Sequence, residues 1–532
     1  MTLRLRDTLT RSVRPVEPLR AGEVGMYTCG PTVYRYAHIG NLRTYLLADL
    51  IRRVLLYHGL SVRHVKNITD VGHLRDERFD RGEDRMLVAA GLESKSSAEI
   101  ADAYEAAFHA DEAAVNILPA HVFPRATDHI PEMLELAERL VDLGHAYASP
   151  AGNVYYAVAS FPGYGRLSGN ALDELRAGHR GTVDVDKRDP ADFALWKAAG
   201  AGRSLKWPSP RWGDGFPGWH LECSAMARRY LGDRFDLHTG GIDNVFPHHE
   251  DEIAQSSPIV GGSPATMWVH GAFLLADGRK MAKSTGNFQR VTELAEHDLD
   301  PLAFRYLALT AAYAHTLEFS ETSLAAAAVG LRSLRARLAG LGPPEALGPW
   351  AAPPVLDAGA AGDRPTGEAV PGAVAGFGGG VEYPIRDRAH DPDAPLSTEG
   401  RRFHDRLVAA LDDDLDLPGA LVIVREVLRS DLPVEERRWL VLDADAVLGL
   451  DLHRTWERSA AAKVRVAVPT AIQALVDARE TARATGYFAA ADDLRREIIA
   501  RGWEVTDSPS GATIRRSAGA HTSGRDGQPG ES

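Results

Sequence analysis

Short apolar runs and helical stripes alternate along the first half of the chain. Val24-Gly25-Met26-Tyr27-Thr28 has strand length and ends in the turn signal Cys29-Gly30-Pro31-Thr32. After Gly40 the period becomes helical over 42–51 and closes near Gly59. A second strand-like run follows at 61–68. Strand, helix and strand at this spacing predict a parallel βαβ unit. Residues 96–145 read as helical, and 146–215, rich in aromatics, Gly and Pro, read as an insertion with short strands. The helical pattern returns over 294–342. It breaks at 342–400, where Gly, Pro and Ala dominate without a hydrophobic period; this reads as a flexible linker. Helical periodicity resumes over 401–450. A last unit at 468–516 holds two helical patterns, then Trp503-Glu504-Val505 and Ala512-Thr513-Ile514-Arg515 as short strands around a Ser-Pro-Ser-Gly turn. Residues 517–532 read as a disordered polar tail.

Composition narrows the class. A chain of 532 residues suggests three or four domains at about 150 residues each, and 44% hydrophobic with 25% charged residues is an ordinary globular mix. A net charge of −13 argues against a general polyanion binder but leaves room for a local basic surface. Two cysteines, Cys29 and Cys223, make no disulfide scaffold and point to a reducing compartment. The first ten residues alternate charged and apolar positions without a secretory apolar core, and no run of about 18 apolar residues occurs. A cytoplasmic location with no membrane span is expected.

Two short motifs carry candidate chemistry. His38-Ile39-Gly40-Asn41 falls between a strand and a helix, where backbone N–H groups and the helix dipole favour an anion. Gly40 would let a purine ring or phosphate approach the backbone. Lys280-Met281-Ala282-Lys283-Ser284-Thr285-Gly286-Asn287 places two lysines around small residues, a cationic clamp suited to a triphosphate. Either motif alone is matched by a bland alternative, a turn histidine or a solvated loop. Together and in this order they resemble the signature pair of class I aminoacyl-tRNA synthetases.

A second constellation involves sulfur. Cys223 lies in Trp219-His220-Leu221-Glu222-Cys223-Ser224, and Phe246-Pro247-His248-His249-Glu250-Asp251-Glu252 follows. Pro247 suits a helix start, and on that helix His248 and Glu252, four apart, share a face. Cys29, Cys223, His248 and Glu252 form a plausible zinc set, although buried free cysteines and a surface His/Glu pair explain the residues singly.

The sulfur motifs, with Cys29-Gly30-Pro31-Thr32-Val33-Tyr34, resemble those of the cysteinyl-tRNA synthetase family, strongly over 1–340 and more weakly over 401–516. The resemblance implies an α/β architecture. A Rossmann-like class I synthetase catalytic domain would occupy 1–290, with an insertion domain at about 120–215. Then come a helical stem-contact region at 291–341, the linker at 342–400, a helical bundle at 401–467, and a small C-terminal mixed α/β anticodon-binding domain at 468–516. It implies one Zn2+ per chain on Cys29, Cys223, His248 and Glu252, binding the substrate thiol. It also implies ATP with Mg2+, L-cysteine and tRNA(Cys) as substrates, handled by a monomer. His38, Gly40, Asn41, Lys280 and Lys283 would bind ATP, and all of these but Gly40 would act catalytically. Thr69, Trp219, Asp243 and His238 would line the substrate pocket.

Several segments depart from the family pattern. Gly72-His73-Leu74 follows Thr69-Asp70-Val71, and Ala282 replaces a serine in the lysine loop. Tyr313-Ala314-His315-Thr316-Leu317 and Asp412-Asp413-Asp414-Leu415-Asp416-Leu417-Pro418 are also divergent, and 342–400 is long. Over 454–516, eleven Lys/Arg face eight Asp/Glu, a locally basic stretch, and Trp503 belongs either against an unpaired base or in a core. Two rival activities stay open on sequence: a cysteine ligase with an amine acceptor such as an amino-sugar, and a non-catalytic tRNA-binding paralogue.

Overall fold

The computed structural model describes residues 2–71, 74–76, 81–93, 95–171, 186–200, 203–276, 279–280, 290–296, 299–354, 356, 392, 394–457, 470–484, 487–501, 503–508 and 511–516. The chain forms two compact units, 1–455 and 456–532.

The first unit is organised on a four-stranded sheet in the order Ala265–Gly271, Phe235–Gly241, Glu23–Thr28, Ser61–Lys66, with every pairing parallel. Parallel strands are covered on both faces, so they carry continuous apolar runs. Phe235–Gly241 is buried at all seven positions and Glu23–Thr28 at five of six. The expected βαβ unit is present: the Ile39–Tyr57 helix connects Glu23–Thr28 to Ser61–Lys66. The chain leaves Glu23–Thr28 toward one edge of the sheet and later fills the other side through Phe235–Gly241. Doubly wound sheets place their ligand crevice at such a reversal, beyond the carboxyl ends of the strands.

Residues between Lys66 and Phe235 supply helices at Ser97–Ala114 and Ile130–Asp142. They also supply a five-stranded sheet running Trp207–Ser209, Gly213–Pro217, Phe193–Ala198, Val154–Tyr156, Ala146–Ala148, antiparallel throughout. The Trp219–Leu231 helix then leads into Phe235–Gly241. Beyond the main sheet, Leu274–Ala276 pairs with Leu317–Phe319 in parallel and with Arg279–Lys280 antiparallel.

The signature helix is buried almost all round, which its charged residues would forbid without partners. Asp49 accepts from Arg53 at 2.8 Å and pairs with Arg305 at 2.7 Å. Arg53 also donates to the carbonyls of Asn116, Leu356 and Ala446. Ala446 lies on the Val434–Leu448 helix, which packs with Thr398–Asp412 and Leu417–Val427. The helical period read over 401–450 is thus three helices.

The first residues form a hairpin, Arg4–Asp7 with Ser12–Pro15, seated on Ala265–Gly271. Asp7 is fully buried and accepts from the Trp268 N–H at 3.0 Å. Among the described residues, no helix is long and apolar enough to cross a membrane.

The second unit pairs helices Thr470–Ala484 and Phe488–Ala500 and adds the hairpin Trp503–Ser508 with Gly511–Arg516. Trp503 belongs to the core with Ile472, Val476 and Ile498, which removes it from base stacking. Arg479 is buried and leaves the basic surface. The central part of the 342–400 linker and the 517–532 tail lie outside the described residues.

Candidate metal centre and nucleotide cleft

Four candidate ligands, two thiols, an imidazole and a carboxylate, converge at the carboxyl end of the sheet. Cys29 follows Glu23–Thr28 directly, and its N–H donates to Thr239 O at 3.2 Å, so the sheet fixes its position. Gly30 is held as tightly: its N–H donates to Asn67 Oδ1 at 2.8 Å, and a Cβ there would fall 1.7 Å from Asn67 O. Cys223 projects from the Trp219–Leu231 helix. That helix begins beside Ala194 O, which a Cβ on Gly218 would meet at 2.0 Å. His248 lies in the wide turn Val245–His249, and Glu252 in the Glu250–Val260 helix that continues it.

Ligand atoms of Cys29, Cys223, His248 and Glu252 all lie within 4.8 Å of one another, and all four residues are buried. Cys29, His238, His249 and Glu252 make a second grouping to the same limit. The electrostatics favour a cation. Burial, then the neighbouring Cys223, pushes the Cys29 thiol well up; burial also raises the Cys223 thiol and the Glu252 carboxyl. Glu252 Oε1 is buried without a hydrogen bond and lies 3.1 Å from His248 Nε2. A buried carboxylate oxygen that meets only an imidazole nitrogen, beside two thiols, fits a metal ion, whose charge reverses the burial effect and favours thiolates.

The ligands have their own supports, most of them not evident from sequence. His238 Nε2 meets Glu252 Oε2 at 2.9 Å, so this expected pocket residue stands buried behind the carboxylate. His249 Nε2 is 3.1 Å from Cys29 Sγ, and its Nδ1 is 2.7 Å from His270 Nε2. His270 Nδ1 meets Thr8 Oγ1 at 2.7 Å. His220 Nδ1 lies 2.9 Å from His248 Nδ1, and Trp219 stacks on the His248 ring at 4.5 Å and 27°. Such contacts set ring orientation at metal sites. Thr69 is buried too: it donates to Glu222 Oε2 at 2.9 Å and accepts from Asn67 Nδ2 at 3.0 Å. Glu222 and His249 lie inside the sulfur motifs and Asn67 close to Thr69, but nothing in the sequence gave them these roles, and His270 stands in no motif.

Beside this centre lies a small open cleft lined by His38, Gly40, Asn41, Asp243, Ala272 and Phe273, among others. His38 caps the signature helix: Nδ1 accepts from the Asn41 N–H and Asn41 Oδ1 accepts from the His38 N–H, both at 3.2 Å. A Cβ on Gly40 would fall 3.0 Å from His38 Nδ1. The glycine therefore serves the imidazole's seat on the first turn as well as any approach of a nucleotide. Asp243 comes from the turn Ile242–Asn244 at the end of Phe235–Gly241. Lys280 pairs with Leu275 in the hairpin that extends from the cleft wall. Lys283 and the rest of 281–289 lie outside the described residues.

A parallel sheet with a His38–Asn41 helix start at its reversal is the arrangement of a class I synthetase fold, and the comparisons bear the class out. Residues 15–329 match the family described as the tRNA synthetases class I (C) catalytic domain. Among solved structures, methionyl-tRNA synthetase of Mycobacterium tuberculosis bound by methionyl-adenylate is similar, with a TM-score of 0.50 at 16% identity over 83% of this chain and 93% of that one. Curated relatives narrow the class. Cysteine–tRNA ligase 1 of Burkholderia lata is 41% identical over 517 residues, 97% of each chain. The cysteine–tRNA ligase of Deinococcus radiodurans is 40% identical over 96% of each. That of Thermus thermophilus is 49% identical over 330 residues, 62% of this chain and 68% of its own. The chain belongs to the cysteine–tRNA ligase family.

Proposed function

We propose that the protein activates L-cysteine with ATP and transfers the cysteinyl group to the 3′-terminal adenosine of tRNA(Cys). The observation that carries this reading is the buried Cys29, Cys223, His248, Glu252 set beside the His38–Asn41 cleft. Cys29, Cys223, His248 and Glu252 would hold Zn2+. Bound there, zinc supplies a Lewis acid that prefers thiolate sulfur to a serine hydroxyl, a distinction that shape alone makes poorly.

The chain's own groups do the rest. Trp219 forms a wall of the amino-acid pocket, and Thr69 and His238 keep Glu222 and Glu252 in place around it. Asp243 holds the ammonium or a ribose hydroxyl. The helix N-terminus, with His38, Gly40 and Asn41, receives the phosphates of Mg2+–ATP. The cysteine carboxylate attacks the α-phosphate, the bond to pyrophosphate breaks, and cysteinyl-adenylate remains. Lys280 and Lys283 neutralise charge on the departing pyrophosphate, so catalysis is electrostatic and no protein nucleophile is used. The adenosine hydroxyl then attacks the acyl carbon and AMP leaves. The 456–532 unit contributes to tRNA recognition.

Cysteine-dependent ATP–pyrophosphate exchange followed by charging of purified tRNA tests the reading. Exchange without charging would point to the amine acceptor; neither activity would point to a non-catalytic paralogue.

A further inference from the structure

Arg43 lies two residues past Asn41 on the signature helix, and its side chain is buried. Nη1 donates to Ala272 O at 3.1 Å and to Phe273 O at 2.5 Å. Nη2 donates to His315 O and, at 3.4 Å, to Ala312 O. Among the described residues no carboxylate pairs with it. Burial alone lowers it, to about 10, so it stays charged at neutral pH.

The identity of the four acceptors matters. Ala272 and Phe273 immediately precede Leu274–Ala276, and Ala312 and His315 precede Leu317–Phe319. Those two strands pair with each other, and Leu274–Ala276 also carries Arg279–Lys280. One planar guanidinium therefore fixes the roots of both long strands of the lysine-bearing sheet against the helix end that holds His38, Gly40 and Asn41. Ala272 and Phe273 line the cleft as well. A lysine keeps the charge but lacks the rigid fork that spans separate acceptors.

We propose that Arg43 is a positioning residue that sets the Lys280 hairpin opposite the His38–Asn41 helix end, so that both face one triphosphate. The consequence for ATP rests on the adenylate-forming reading; the consequence for the hairpin does not. Displacing a positioned group by about 1 Å can cost about a hundredfold in rate.

The test uses Arg43→Lys and Arg43→Gln in the full chain. Hydrogen exchange at 274–276 and 317–319 should quicken at least tenfold in both variants, while Phe235–Gly241 and the metal content stay as in the parent. Single-turnover adenylate formation should slow roughly tenfold to a hundredfold, with KM for cysteine within about threefold. Adding Lys280→Ala to Arg43→Gln should cost less than the product of the two single losses, because both act through one hairpin. Unchanged protection of the two strands in Arg43→Lys overturns the proposal, as does multiplicative loss with Lys280→Ala. Faster exchange throughout the main sheet also overturns it, since the role would then be general support. If the parent forms no adenylate, the function reading fails, and strand protection alone decides on Arg43.

Discussion

The Tyr313 hydroxyl donates a hydrogen bond to the Asp414 carboxylate, joining two of the segments that read as divergent in the sequence. Asp414 Oδ1 also accepts from the Arg6 N–H at 2.8 Å, and Tyr313 O accepts from the Ala272 N–H at 2.8 Å. Helical bundle, N-terminal strand and cleft wall thus share one polar knot. Tyr313→Phe removes a hydrogen bond to a charged acceptor and should lower stability by about 1.5–3 kcal/mol. Urea unfolding checks this. In a cycle with Asp414→Asn the two losses should not add; additive losses would mean that the bond contributes nothing.

Metal analysis should find about one zinc per chain, with Cys223→Ser losing most of it. Chelation should lower the melting temperature, because an ion bound only by the folded state stabilises it by mass action. Full zinc retention in Cys223→Ser would remove this cysteine from the centre.

Lys283→Ala should slow adenylate formation by tens- to a thousandfold while cysteine affinity changes little, since its charge matters most as pyrophosphate leaves. Stopped-flow pyrophosphate release resolves the two effects. A rate within about twofold of the parent would deny the lysine a transition-state role.

Deleting 456–532 should leave pyrophosphate exchange largely intact, because all the proposed chemical residues lie between Cys29 and Lys283. Charging of tRNA should drop sharply, and in the intact protein tRNA affinity should fall as salt rises. Equal charging by both proteins would show that the second unit does not recognise tRNA.

Burial raises the Asp70 carboxyl to about 6, although it accepts from the Thr127 N–H at 2.9 Å and from the Thr127 hydroxyl. A carboxyl with a raised native pKa binds its proton more tightly when folded. Its contribution to stability therefore falls as pH rises from about 4 to about 6, by about 2–3 kcal/mol in total. Asp70→Asn should flatten that part of the stability–pH curve. An unchanged slope between pH 4 and 6 would contradict the raised value.

Much of this was legible where local chemistry declares itself. The Glu23–Thr28 strand and its βαβ partner are apolar enough to read directly. His248 and Glu252 declare themselves by helical spacing, and the two cysteines by rarity. Arg43 did not, because its acceptors are backbone carbonyls some 230–270 positions away. The N-terminal hairpin was missed because an acid, Asp7, occupies a buried position that an apolar residue would have advertised. Trp503 was ambiguous because an aromatic residue serves a core or a base equally well until its neighbours are known. Here they are Ile472, Val476 and Ile498.

Cys29 is locked by the sheet on one side and by Gly30 against Asn67 on the other. The backbone that carries its sulfur is therefore fixed by the sheet and not by an ion. Loading of the proposed metal centre would then be a docking event rather than a folding event, unlike that of small zinc domains that collapse without metal. The far-ultraviolet circular dichroism of stripped and reloaded protein should superimpose. Uptake should proceed in one second-order phase, paced by encounter and thiol deprotonation, with no slower rearrangement behind it.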